Sequence, residues 1–127
     1  MIKERYCSYE VSKLLKEKGF DVPCSKAYMN DSMVTKSSVQ LIDFNSKGYV
    51  SAPTHQMAMD WLRIKHGILI SIIPQEVNIG VDRLCYAIYR ITEDLYQPLY
   101  NGKVDNLVDS YKDTAETALK YSLTELI

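Results

Sequence analysis

The sequence predicts a small α+β fold: helix, strands, helix, two strands, helix, with the helices packed on one side of an antiparallel sheet. Three observations predict it. Apolar residues recur at helical spacing in three separate stretches, near the start, middle and end of the chain. Between them lie short β-rich runs that come in adjacent pairs instead of alternating singly with helices, which suits an antiparallel sheet better than a doubly wound parallel one. No interdomain linker or low-complexity segment interrupts the 127 residues, a length typical of one domain, so residues 1–127 are expected to share one core.

The first helix is carried by Cys7, Val11, Leu14 and Leu15, which fall on one helical face. Ser8 is a suitable N-cap. Lys16 and Lys18 suit the negative end of the helix dipole, Gly19 can take the left-handed conformation that ends a helix, and Phe20 can fold back on Leu14 or Leu15. Asp21 to Cys24 reads as a connector. Ala27–Met29 and Met33–Val34 flank Asn-Asp-Ser, a hairpin signal. Val39 to Phe44 reads as a strand, Asn45-Ser-Lys-Gly48 as a turn, and Tyr49-Val50 as the return strand.

Ser51 or Thr54 can cap a second helix, with Pro53 in or just before its first turn. Met57, Ala58, Trp61, Leu62 and Ile64 give it a broad apolar face, and His66-Gly67 end it. Ile68 to Ile73 is an apolar, β-branched run bounded by Pro74 and reads as a buried strand. Gln75 to Gly80 reads as a loop, Leu84 to Ile91 as a strand antiparallel to the previous one, and Tyr96 to Gly102 as irregular because of Pro98 and Asn101-Gly102. Val104, Leu107, Val108, Tyr111, Ala115, Ala118, Leu119, Ser122 and Leu126 repeat at helical spacing and define the last helix, its stripe broken only by Ser122. The first two helices both end through basic residues and Gly into an apolar residue. Shared termination chemistry explains this more simply than internal duplication.

Composition narrows the function classes. Net charge is −1; residues 1–26 carry six basic and four acidic groups, residues 27–81 four of each, and residues 82–127 five basic against eight acidic. No clustered basic footprint of a nucleic-acid binder stands out, and Lys13, Lys16 and Lys18 of the first helix are the one place to look. The N-terminus lacks the apolar run of a signal peptide, and the longest apolar stretch, Gly67 to Ile73, is too short to span a bilayer. Three cysteines without close pairing suit reduced thiols, so a cytoplasmic location is expected.

The sequence carries no motif for catalysis, metal, nucleotide or nucleic-acid binding, and no catalytic, cofactor or metal residue is assigned from it. Cys7, Cys24, Cys85, His55 and His66 contain no Cys-x-x-Cys or His-x-x-x-His pair. His55 and His66 would stand about 16 Å apart along one helix, too far to share a metal. Cys7 and Cys85 fall on expected core faces, and Cys24, in the connector, is expected to be the most exposed thiol. There is no Gly-x-Ser-x-Gly elbow and no phosphate-binding loop.

Asp105, Asp109, Asp113 and Glu116 flank the last helix as a solvated face or a docking surface for a basic partner, with Glu116 and Lys120 a favourable i,i+4 pair. The chain has ten tyrosines against two phenylalanines and one tryptophan. Tyr86 and Tyr89 point to opposite faces of their strand, Tyr96 and Tyr100 follow, and such residues suit half-buried packing or a protein interface. Trp61 is expected in the core.

Three stretches carry a resemblance: Glu10-Val-Ser-Lys-Leu-Leu-Lys-Glu-Lys-Gly-Phe20, Ser51-Ala-Pro-Thr-His-Gln-Met-Ala-Met-Asp-Trp-Leu62 and Ala118-Leu-Lys-Tyr-Ser-Leu-Thr-Glu-Leu-Ile127. Together they resemble short uncharacterised proteins of prophages and other mobile elements in Bacteroides-type gut bacteria. The resemblance implies a bacterial, intracellular, phage-derived protein and no particular chemistry. The leading reading is a small accessory protein that binds another protein or forms a homodimer, with no membrane and no cofactor. Two alternatives stand: an enzyme whose site is assembled from distant residues, with His55, Cys24 and Asp60 as first suspects, and a nucleic-acid-binding regulator.

Overall fold

The computed structural model describes residues 5–30, 32–35, 41–74, 84–92, 96–103 and 110–127. Helix α1 spans Tyr9–Glu17. Ser8 caps it, its hydroxyl accepting the Val11 N–H, and buries Val11, Ser12 and Leu15. Gly19 ends it at φ 90°, which lets the Phe20 N–H reach the Leu15 carbonyl at 3.0 Å and drops the Phe20 ring into the core.

A first sheet follows. Strands β1 (Lys26–Met29) and β2 (Ser32–Thr35) form the expected hairpin, with Asn30 in the left-handed region at φ 56° as a two-residue turn requires. Strand β3 (Val50–Ser51) pairs with the other edge of β1, giving the order β2-β1-β3. The strand expected over Val39 to Phe44 is not formed in its described part. Ile42 makes one bridge with Cys24, and Phe44–Lys47 turn as a single 3-10 turn; residues 36–40 lie outside the described residues. The reason is local: the Asp43 carboxylate accepts the Asn45 N–H at 3.2 Å and starts the turn, with Gly48 at φ 86° closing it. The strand that returns to β1 is therefore Val50–Ser51, while the Tyr49 N–H closes the turn on the Phe44 carbonyl at 3.1 Å. Asn45 fixes this arrangement, donating to the Phe20 carbonyl and accepting the Ser51 N–H, both at 2.8 Å.

Helix α2 spans His55–His66, capped by the Thr54 hydroxyl on the Met57 N–H and ended by Gly67 at φ 65°. It leads straight into a second antiparallel sheet, order β4-β5-β6: β4 (Ile68–Pro74), β5 (Leu84–Ile91) and β6 (Tyr96–Lys103). The loop expected at Gln75 to Gly80 lies outside the described residues. Strand β6 corrects the expectation of an irregular Tyr96–Gly102. Pro98 is tolerated because β6 is an edge strand, and the register shifts at Ile88/Tyr89, where Tyr89 faces Pro98 and Ile88 faces Tyr100, leaving Leu99 as the extra residue of a bulge. The two sheets have different strand orders, so what the first two helices share is their glycine ending.

Helix α3 spans Ser110–Tyr121 and continues as a π-helical turn, Ser122–Leu126. The part of the expected helix at residues 104–109 lies outside the described residues. Ser122 does not break the buried stripe: it is fully buried, its hydroxyl donating to the Ala118 carbonyl at 2.9 Å. Tyr111, counted in the stripe, is 44% exposed at the helix start.

Alternation along β4 and β5 turns Ile68, Ile70, Tyr86 and Ile88 toward α2 and α3, and Leu69, Ile73, Cys85 and Tyr89 to the outer face. Between sheet and helices lie Leu15, Phe20, Trp61, Leu62, Leu119 and Leu123, with Phe20 edge-on to Trp61 at 5.4 Å. Each such side chain contributes about 1.5–3 kcal/mol by burial. Tyr86 is buried while Tyr89 is half-buried on the other side, as alternation requires. Two cysteines correct the sequence reading. Cys24 is 1% exposed because its bridge to Ile42 pins it against the core, whereas Cys85, beside Ile73 on the outer face, is only half-buried.

Candidate functional site

The segment before α1 runs antiparallel to the segment before α2. Tyr6 bridges Thr54, the Cys7 N–H donates to the Pro53 carbonyl at 2.9 Å, and the His55 N–H donates to the Arg5 carbonyl at 2.9 Å. This pairing sets the N-cap of α1 beside the first residue of α2. Helix α3 crosses both and supplies Glu116.

One carboxylate then joins α1, α2 and α3. Glu116 Oε1 accepts the Ser8 N–H at 2.8 Å and faces His55 Nε2 at 2.8 Å, while Oε2 accepts the Ser8 hydroxyl at 2.8 Å. The imidazole nitrogen facing the carboxylate must carry a proton. The carboxylate also sits at the positive end of α1, taking up an N–H that the helix leaves without an internal partner. Burial alone would raise the Glu116 carboxyl, but the hydrogen bonds from His55 and Ser8 outweigh it and hold the group below its ordinary range. Beneath it the Tyr28 hydroxyl donates to the Cys7 carbonyl at 2.7 Å; burial, then the Glu116 charge, then Cys7 raise that phenol, so it stays a donor.

Sequence spacing gave no sign of this cluster, whose members are 108 and 61 residues apart. Glu116, read there as the partner of Lys120, turns inward because three donors await it; Lys120 instead pairs with Glu10 at 2.7 Å on the surface. The signals available were the Ser8 cap and a histidine at the first position of a capped helix.

The cluster has the residue types of hydrolytic chemistry but is arranged to hold structure. The Ser8 hydroxyl donates to the carboxylate and accepts the Val11 N–H, so it is directed away from any imidazole base. Among the described residues His55 Nδ1 is buried without a hydrogen-bond partner. The Cys7 thiol leans on the Thr54 carbonyl at 3.9 Å, and burial, then Glu116, then Cys24 push it well above the ordinary thiol range. A thiol so placed is not a thiolate nucleophile.

The first suspects of the enzyme reading have different partners. His55 holds Glu116. The Cys24 thiol donates to the Val22 carbonyl at 3.3 Å, and burial pushes it up to about 11. Asp60 accepts from Gln56 at 2.9 Å and lies 3.9 Å from Arg63 on the outer face of α2. Of the first-helix lysines, Lys16 and Lys18 donate to the carbonyls of Tyr49 and Ile127, while Lys13 is exposed. Of the tyrosines, Tyr100 stacks on Tyr121 at 4.0 Å and stands 6.0 Å from Tyr86, packing within the chain. Asp105 and Asp109 lie outside the described residues, as does the side chain of Tyr96.

Exposed apolar side chains are spread over both sheets, α2 and the start of α3. Two open hollows flank Asp60. One, ≈ 240 Å³, is lined by Val22, Met57, Asp60, Trp61, Ile64 and Lys65. The other, ≈ 220 Å³, lies between α2, β4 and Tyr111, over Met59 and Ile72. Ile64 stands 68% exposed at the rim of the first. Both are smaller than the roughly 300–1,000 Å³ of a small-molecule or cofactor site and suit single side chains.

Among the described residues no three His, Cys, Asp or Glu side chains converge to hold a metal, and no helix is long and apolar enough to cross a membrane. No family model, curated protein or solved structure matches the chain.

Proposed function

We propose that the protein is a small binding module that works by contact with another polypeptide through the outer face of α2. The observation that carries this reading is the pair of side-chain-sized hollows on either side of Asp60, the one over Trp61 apolar and the other of mixed lining, with Ile64 projecting between protein and solvent. An exposed aliphatic residue beside a hollow floored by Trp61 is the kind of anchor on which interfaces concentrate their energy. The accessory role in a prophage or mobile element belongs to the same proposal and is supported by the resemblance of the three quoted stretches.

The test is site-specific photo-cross-linking in the cells that express the protein. A benzophenone side chain placed at Ile64 should give polypeptide adducts, including adducts to a second copy, and the same group at the exposed Lys13 of α1 should give few. Equal yields from both positions, or no adduct from Ile64, would overturn the reading.

A further inference from the structure

The outer face of α2 is complementary to itself, and we infer that its first partner is a second copy of this chain, packed α2 to α2 across a two-fold axis. The inference rests on the binding reading above and names the partner of that same surface.

The geometry follows from helix periodicity. At about 100° per residue Met57, Trp61 and Ile64 lie within about 60° of one another, a stripe on the side of α2 turned to the first hollow. Gln56, Asp60 and Arg63 form the adjoining flank, also within about 60°. Two antiparallel helices related by a two-fold axis bring the same flank of each together. Placing the axis between Trp61 and Leu62 sets Asp60 of each copy level with Arg63 of the other. The same placement sets Ile64 of each copy level with Met59 of the other, at the gap bounded by Met57, Asp60 and Trp61. That gap belongs to the ≈ 240 Å³ hollow. One register therefore satisfies two independent requirements. An exposed knob meets a hole twice over, as in knobs-into-holes packing, and opposite charges meet twice over.

The charges favour this occupant. Within one chain Arg63 Nη2 and Asp60 Oδ1 are 3.9 Å apart, with side chains 47% and 46% exposed, so the pair is loose and open to further partners. In the two-fold arrangement Asp60 and Arg63 alternate in sign around a cluster of four, and no like charges are brought together on that flank. A wholly basic or acidic partner would find only one of the two signs complementary.

The face is small. A helix of 12 residues is about 18 Å long, and an interface built on one such helix falls in the weak class below roughly 1,200 Å² of total buried area. Self-association is therefore expected with a dissociation constant on the order of 100 µM.

Sedimentation equilibrium of the intact chain from about 10 µM to about 1 mM reads this directly. The wild type should pass from monomer to dimer, and Ile64→Glu should weaken association at least about tenfold. Asp60→Arg and Arg63→Glu should each weaken it, because each faces two like-charge contacts with its own kind. Mixing those two variants should restore a dimer, since both crossed contacts are then opposite in sign, a result that damage to the fold cannot produce. All three positions are on the surface, and far-UV circular dichroism checks that each variant folds.

A wild type that stays monomeric through the range, a dimer indifferent to Ile64→Glu, or a mixture that associates no better than its components would each overturn the two-fold pairing. Photo-cross-linking from Ile64 separates the two readings. Adducts to another protein with none to self would overturn the pairing and leave the binding module standing, and no adducts would overturn both.

Discussion

Substitution of Glu116 by Gln tests the polar clamp that holds three helices together. Three hydrogen bonds, each 2.8 Å, end on the carboxylate: the Ser8 N–H, the Ser8 hydroxyl and the His55 imidazole. Bonds to a charged acceptor contribute about 1.5–3 kcal/mol each. The Glu116 side chain is 18% exposed, so water takes over part of what is lost. The amide of Gln keeps one acceptor oxygen and replaces the other by a donor, so at least one of the three donors loses its partner. The expected cost is about 2–3 kcal/mol for Gln and about 3–5 kcal/mol for Ala, a sizeable part of the roughly 5–15 kcal/mol that stabilises a domain.

Urea unfolding followed by the fluorescence of Trp61, the one tryptophan of the chain, and by circular dichroism measures it. Combining Glu116→Gln with Ser8→Ala should give a coupling energy above about 1 kcal/mol, because both act on the same bonds. The pH dependence has a fixed sign. A carboxyl held below its unfolded value contributes its stability above the ordinary carboxylate range, near pH 4.3, and loses it as pH falls through the lower folded value. The gap between wild type and Glu116→Gln should therefore narrow below about pH 4. A cost under about 0.5 kcal/mol, with additive double mutants and parallel pH profiles, would refute the clamp.

The cysteines should label in a fixed order: Cys85 with a soluble alkylating reagent in the native state, and Cys7 and Cys24 only at the rate of unfolding, as peptide mass spectrometry would show. Burial holds the folded Cys24 thiol at about 11, above its unfolded value near 8.5, so its contribution is complete below that value and is lost as pH rises toward 11. Gly19→Ala should cost about 1–2 kcal/mol although nothing stands within 4 Å of the added carbon, because φ 90° is strained for an alanine; Gly19→Asn should recover part of it in thermal unfolding.

What the sequence shows and what it hides divide along physical lines. Helix ends were legible because caps are local: Ser8, Thr54, Gly19 and Gly67 act within four residues of themselves. The hairpin at Asn30 and the burial of Trp61 were legible for the same reason, one a turn preference and the other a helical face. Strand β6 was not, because Pro98 reads as a breaker unless its edge position and bulge are known. In its described part the strand expected at Val39 to Phe44 gives way at Asp43, whose local hydrogen bond starts a turn. Glu116 was the hardest, since its environment is made by residues far away in the chain. On the helix wheel it belonged to a charged flank, and only the crossing of α3 over two capped helix starts makes it a buried acceptor. The hollows beside Asp60 were equally hidden, because a wheel shows which residues are outward but not where neighbouring elements leave room.

The central claim is that this chain makes contact through the outer face of α2, first with a second copy of itself. Methyl-resolved NMR between about 50 µM and about 1 mM tests it most directly, since an association near 100 µM changes its populations across that range. The account predicts concentration-dependent shifts at the methyl groups of Met57 and Ile64, with Ile73 and Ile91 unmoved. Shifts centred on Ile73 and Ile91, at the outer side of the second sheet, or none anywhere at the highest concentration, would contradict it.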